Sequence, residues 1–201
     1  MLVKPCKTCA SYNVHREHGK EAAFLLAEID TRIMKLIDHL DNKYNKKFIP
    51  PDPEKSGRID IIPISEFFGE KNKEYIQDRI MQLIENYNNG NLYELSPHNI
   101  GGSTAYTEEK RILVLCLRSK EPGNPLHDIN TMMFVVLHEL AHMMNNTWGH
   151  NQKFWILFRF LLENAVEIEL YKPIDYSRFP TVYCGLKLTY NPLFDESLKI
   201  N

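Results

Sequence analysis

No stretch of the 201-residue sequence approaches the run of about 18 to 20 apolar residues that a membrane-spanning helix needs, so no membrane partner is expected. The first residues, MLVKPCKTCAS, lack the apolar segment of a secretory signal. Cysteine is scarce, at positions 6, 9, 116 and 184, and without a signal these read as thiols in a reducing, intracellular compartment. Charge of one sign is missing too. The 24 basic and 26 acidic residues leave a net charge of -2, which gives no global field to gather nucleic acid. The basic stretch Lys43 to Lys47 and the scattered Lys4, Lys7 and Arg16 read as solvated faces. No internal repeat is visible. What remains, 43% hydrophobic and 25% charged residues, is ordinary globular composition, and the length suits one compact domain.

The informative segment is His138-Glu139-Leu140-Ala141-His142, followed by Trp148-Gly149-His150. Residues four apart share a helix face, so His138 and His142 can offer ring nitrogens to one Zn2+ at about 2.0–2.1 Å. Glu139 is rotated about 100° from the first ligand. Its carboxylate therefore falls beside the metal, where a general base could take a proton from water. Between residues 129 and 144 nearly every other position is apolar, which predicts a buried helix over 126–145 capped by Asp128 or Asn130. Histidines and a glutamate inside such a helix need partners.

The third ligand has two readings. His150 follows Gly149, which permits a sharp reversal, and Asn151 can cap a second helix over 151–168 that carries Phe154, Trp155, Leu157 and Phe158. The rival is a carboxylate from that helix, Glu163 or Glu167, in the manner of His2Glu zinc sites. The spacing from His142 to His150 is favoured, and metzincins fit poorly because the Gly-His spacing is longer and no methionine follows Met144.

HELAH, then WGHNQKFW with Phe-Trp four and five residues after its histidine, resembles the WLM and SprT-like zincin peptidases. More narrowly, YNVHREHGKEAAFLLAEID, KRILVLCLRS, the HELAH to FLLENA stretch and YCGLKLTYNPL resemble the WLM-like metallopeptidases of large DNA viruses, over about residues 12 to 195. The resemblance implies His138, His142 and His150 as metal ligands, Glu139 as base, Zn2+ as cofactor, and a host cytoplasm or virion as location. It also implies DNA-crosslinked proteins as a substrate class, whereas the residues themselves imply only a protein or peptide. Two other functions stay open: a zinc-stabilised interaction module without turnover, and a hydrolase of a non-peptide bond.

The expected architecture is α+β and zincin-like, a small mixed sheet on helices with the HELAH helix in the core, forming one domain over 1–201. Within it, 1–19 reads as a flexible N-terminal segment, 20–100 as an N-terminal helical part and 101–201 as the zinc-binding catalytic part. Apolar periodicity predicts helices over 20–41 and 72–88. Asn42 to Gly57, with Pro50, Pro51 and Pro53, reads as a loop, and Ile59 to Ile64 as an edge strand. The segment 111–118 reads as a strand, either central or an edge open to a substrate strand. Cys6, Cys9, His15 and His18 could hold a second zinc. Tyr183 and Tyr190 are candidate donors to an oxyanion, and Cys184 a candidate nucleophile.

Overall fold

A computed structural model describes residues 19–45, 70–95 and 105–198. The segments 46–69 and 1–18, with the Ile59 to Ile64 strand, most of the proline loop and the Cys6, Cys9, His15 and His18 group, lie outside the described residues. The fold is mixed α+β.

Among the described residues four helices carry the core. Helix α1 (Gly19–Leu40) buries Leu26, Ile29, Ile33, Ile37 and Leu40 along the predicted stripe, with Leu36 beside them, and a π-helical turn, Asp41–Asn45, prolongs it. There the Tyr44 hydroxyl donates to Asn164 Oδ1 at 3.1 Å. Helix α2 (Glu70–Asn86) buries Ile76, Ile80 and Leu83. Helix α3 (Ile129–Met144) is apolar almost all round and is buried accordingly. Its last carbonyls have no partner within the helix, and α2 supplies one: Gln82 Nε2 donates to Met143 O at 2.9 Å. Helix α4 (Gln152–Glu167) packs against α3 through Phe134 and Phe158, whose rings lie 5.2 Å apart.

Each end of α3 has a chemical cause. Asp128 is the N-cap, accepting at Oδ1 from the backbone N–H of Asn130 and Thr131, both at 3.0 Å, while its other oxygen accepts from the Thr131 hydroxyl. Asp128→Ala is expected to cost about 1 kcal/mol and to lower the midpoint of thermal unfolding by about 2–4 °C. An unchanged midpoint in calorimetry would show that the cap is dispensable. Beyond Asn145 the chain reverses at Gly149, whose φ of 78° suits glycine, and Asn151 caps α4 by accepting from Phe154 N at 3.0 Å.

A three-stranded sheet of order β1-β3-β2 lies against α3. Strand β1 (Leu92–Glu94) runs parallel to β3 (Ile112–Leu115), and β2 (Ala105–Glu108) runs antiparallel to it, with Tyr106 opposite Val114. The apolar strand predicted over 111–118 is thus the central one, and β1 and β2 are the edges. Leu113, Val114 and Leu115 are buried, as a central position requires. A second, two-stranded sheet pairs β4 (Thr181–Tyr183) with β5 (Leu186–Leu188) across a turn in which Cys184 and Gly185 both have positive φ.

The thiol reading of Cys116 and Cys184 is overturned. These two form a disulfide across 68 residues of sequence, with Cα atoms 6.4 Å apart, tying the end of β3 to the β4–β5 turn. The topology brings them together, and spacing along the chain carries no trace of it. Cys184 therefore has no free thiol, which removes it as a nucleophile. Among the described residues no helix is long and apolar enough to cross a membrane.

Candidate metal centre

Three imidazoles converge where α3, the Gly149 reversal and α4 meet. His138 and His142 sit one turn apart on α3, and the reversal returns His150 to them. His150 Nε2 lies 3.1 Å from His142 Nε2 and 3.0 Å from His138 Nε2. Three nitrogens on a tetrahedral shell of about 2.0–2.1 Å radius would be roughly 3.3 Å apart. The observed spacing is close to that. Hydrogen bonding accounts poorly for such a cluster, because a neutral imidazole has one N–H to donate and cannot satisfy two converging neighbours with it.

Burial also favours the neutral, lone-pair form. Desolvation, then the neighbouring His142 and His150, takes the His138 pKa down to about 3. Desolvation, then His150 and Lys110, takes His142 down to about 4, and burial lowers His150 as well. Phe154 forms the wall behind all three rings, at 4.9 Å from His138, 4.4 Å from His142 and 4.6 Å from His150. In sequence it stood out as an apolar position of the helix after Asn151 and as the Phe of the Phe-Trp pair, with no sign of this role.

Glu163 and Glu167, the rival ligands, are engaged elsewhere. Glu163 Oε1 accepts from Arg159 Nε at 2.7 Å, one turn earlier on α4. Glu167 pairs with Lys43 and lies 3.7 Å from His39 Nε2. Lys43, read from sequence as part of a solvated basic run, is thereby tied to α4.

Glu139 is 5% exposed and takes a hydrogen bond from the Thr107 hydroxyl to Oε2 at 2.9 Å. Burial pushes its carboxyl up to about 7 against the opposing effect of that bond. Thr107 stands on β2 and was not singled out by any motif. The histidines and Glu139 line one cavity of about 250 Å³, together with Tyr106, Lys110 and Trp148. The two tyrosines proposed from sequence are not among its lining residues. Tyr183 is buried close enough to Glu139 for the carboxylate to raise its pKa further, after desolvation, and its ring packs 4.9 Å from His127. Tyr190 donates to Asp195 Oδ2 at 2.7 Å and meets the edge of Trp155.

An uncharacterized protein of Acanthamoeba polyphaga mimivirus is 36% identical over 186 residues, which cover 92% of this chain and 80% of that protein. The chain belongs to that protein's family. Uncharacterized proteins of two invertebrate iridescent viruses match shorter stretches. The one from virus 6 is 38% identical over 71 residues, 35% of this chain and 40% of its own length, and the one from virus 3 is 42% identical over 87 residues, 41% and 50%. No family model and no solved structure matches the chain. These relatives are viral, and their names assign no activity.

Proposed function

We propose that this chain is a zinc-dependent peptidase with a zincin-like catalytic core, holding Zn2+ through His138, His142 and His150. The observation that carries the reading is the convergence of three Nε2 atoms at 3.0 and 3.1 Å beside a buried carboxylate that is not itself in the cluster. A closed structural zinc site has four protein ligands. Here three histidines group together, and among the described residues no fourth histidine, cysteine or carboxylate joins them. That arrangement leaves a coordination position for water.

Zn2+ bound there supplies Lewis acidity, lowering the pKa of water toward about 7 and polarising a scissile carbonyl. Glu139 accepts a proton from the attacking water and passes it to the amine nitrogen as the carbon–nitrogen bond breaks. Thr107 fixes the carboxylate by holding Oε2, which leaves the other oxygen to carry the proton. Phe154 holds the imidazole planes in place and excludes water from behind them.

The test is metal content and hydrolysis on the same preparation. Protein purified without added metal is expected to carry about one zinc at the histidine site and to cleave a denatured protein, with both properties lost to a chelator. Zinc occupancy is expected to fall in His150→Ala and to survive in Glu163→Ala and Glu167→Ala. The reverse pattern would move the third ligand onto α4, and absence of zinc after reconstitution would end the metallopeptidase reading.

A further inference from the structure

The cavity contains a cation that neither the zinc nor the proposed hydrolysis uses. Lys110 lines it from the β2–β3 turn, where Glu109 and Lys110 have φ of 49° and 58° and Arg111 N donates to Glu108 O at 3.0 Å. Two consecutive left-handed residues usually call for Asn or Gly. A long charged side chain at such a position carries a backbone cost, so its presence asks for a reason in what the side chain does. One use is local: Lys110 Nζ donates to Asn145 O at the end of α3. That accounts for one of the three donors on an ammonium.

The surroundings of Lys110 are cationic and aromatic. Among the described residues none of the salt bridges includes it, and its electrostatic neighbours are Arg79 and His142. Its Nζ stands 5.4 Å from the centroid of the Trp148 ring. Trp148 lines the same cavity and is 76% exposed, an unusual state for so large an apolar surface. An unneutralised ammonium beside an open indole, at the mouth of a cleft, is the pair a ligand would use by placing a carboxylate on the cation and its apolar part on the ring.

We infer that Lys110 and Trp148 form a substrate subsite that selects peptides bearing a carboxylate close to the bond to be cut. The carboxylate can come from an acidic side chain or from a free C-terminus, and Lys110 would meet both with the same charge-assisted bonds. This deepens the peptidase reading and rests on it for the word substrate.

Matched peptides test the inference: one sequence with Glu, or with Gln in its place, each with a free or an amidated C-terminus. Cleavage by the zinc-loaded wild-type protein gives kcat/KM, and binding to the full-length Glu139→Gln protein, followed by tryptophan fluorescence, gives Kd without turnover. Peptides with a carboxylate are expected to be favoured about tenfold in both quantities, a factor in the range of charge-assisted bonds. The ratio is expected to persist in Lys110→Arg, to collapse in Lys110→Gln and to invert in Lys110→Glu. A preference for Glu among amidated peptides assigns the subsite to side chains, and a preference confined to free acids assigns it to the C-terminus. Equal cleavage and binding of all four by the wild-type and Glu139→Gln proteins overturns the subsite while the peptidase reading stands. Discrimination in binding with no cleavage by the wild type overturns the peptidase reading and keeps the subsite. Because the wild-type ratios decide the matter, a folding defect in a Lys110 variant cannot hide the answer.

Discussion

Glu139→Gln is expected to keep zinc bound and to slow peptide hydrolysis by about 10²–10⁴-fold, the usual contribution of a general base. Gln has nearly the same shape, and its amide oxygen can still accept from the Thr107 hydroxyl that now meets Oε2. What it cannot do is take a proton from water. The proposed ligands His138, His142 and His150 are untouched, so metal content separates a chemical defect from a collapsed site. A protein that functions unchanged with Gln at this position would be a zinc-stabilised interaction module, because binding needs no base.

The same variant carries a stability signature of the opposite direction. In the metal-free protein burial raises the Glu139 carboxyl from 4.5 to about 7. The folded state therefore holds this proton more tightly than the unfolded chain. Between about pH 4.5 and 7 the folded state binds more protons, and folding stability falls as pH rises through that window. The accumulated cost above pH 7 is on the order of 3 kcal/mol, and Gln removes it. Metal-free Glu139→Gln is thus expected to unfold at a higher temperature than metal-free wild type at neutral pH and at a similar one near pH 4. Urea or thermal unfolding of both proteins at the two pH values checks this. A group kept at a thermodynamic cost and idle in the reaction would be hard to explain.

How far the sequence could be read depended on the length of each regular pattern. Helices α1 to α4 were legible because each keeps a regular apolar pattern over about three turns or more, and because Asp128 and Asn151 are good caps for α3 and α4. The mixed α+β character followed from one long apolar strand among such helices. Strands β1 and β2 were not legible: Leu92–Glu94 and Ala105–Glu108 have three and four residues, too few to show a period. With β2 missed, Thr107, Tyr106 and Lys110 were missed too, since each reaches the cavity through its place on that strand or its turn. The His150 spacing was readable because Gly149 announces a reversal. The occupation of Glu163 by Arg159 and of Glu167 by Lys43 was not, since nothing in composition says which partner a surface carboxylate takes. Tyr183 was noticed for its hydroxyl, whereas its place is in the packing against His127.

Cys184→Ser, or Cys116→Ser, is expected to lower stability by about 4 kcal/mol, the chain-entropy effect of opening a loop that spans a sequence separation of 68. For a chain of this size that corresponds to a fall in the unfolding midpoint of roughly 10 °C. The effect should also reach the candidate site. Cys184 is 1% exposed and sits directly after Tyr183, which is buried within electrostatic reach of Glu139 and packs on His127. His127 Nε2 in turn accepts from the Cys184 backbone N–H at 3.3 Å. Freeing the β4–β5 turn from β3 would loosen this layer and admit water toward Glu139, so hydrolysis should fall along with the midpoint. Burial should also shield the bond from reductant in the folded state, which would let it persist in a reducing compartment. Thermal unfolding and peptide hydrolysis of the serine variants check these effects, and counting thiols in a Cys6→Ser/Cys9→Ser background checks the bond itself. No reactive thiol is expected in the native protein, or in the unfolded one until reductant is added. Two thiols on unfolding without reductant would mean that Cys116 and Cys184 are merely neighbours, and that packing alone holds Tyr183 against His127.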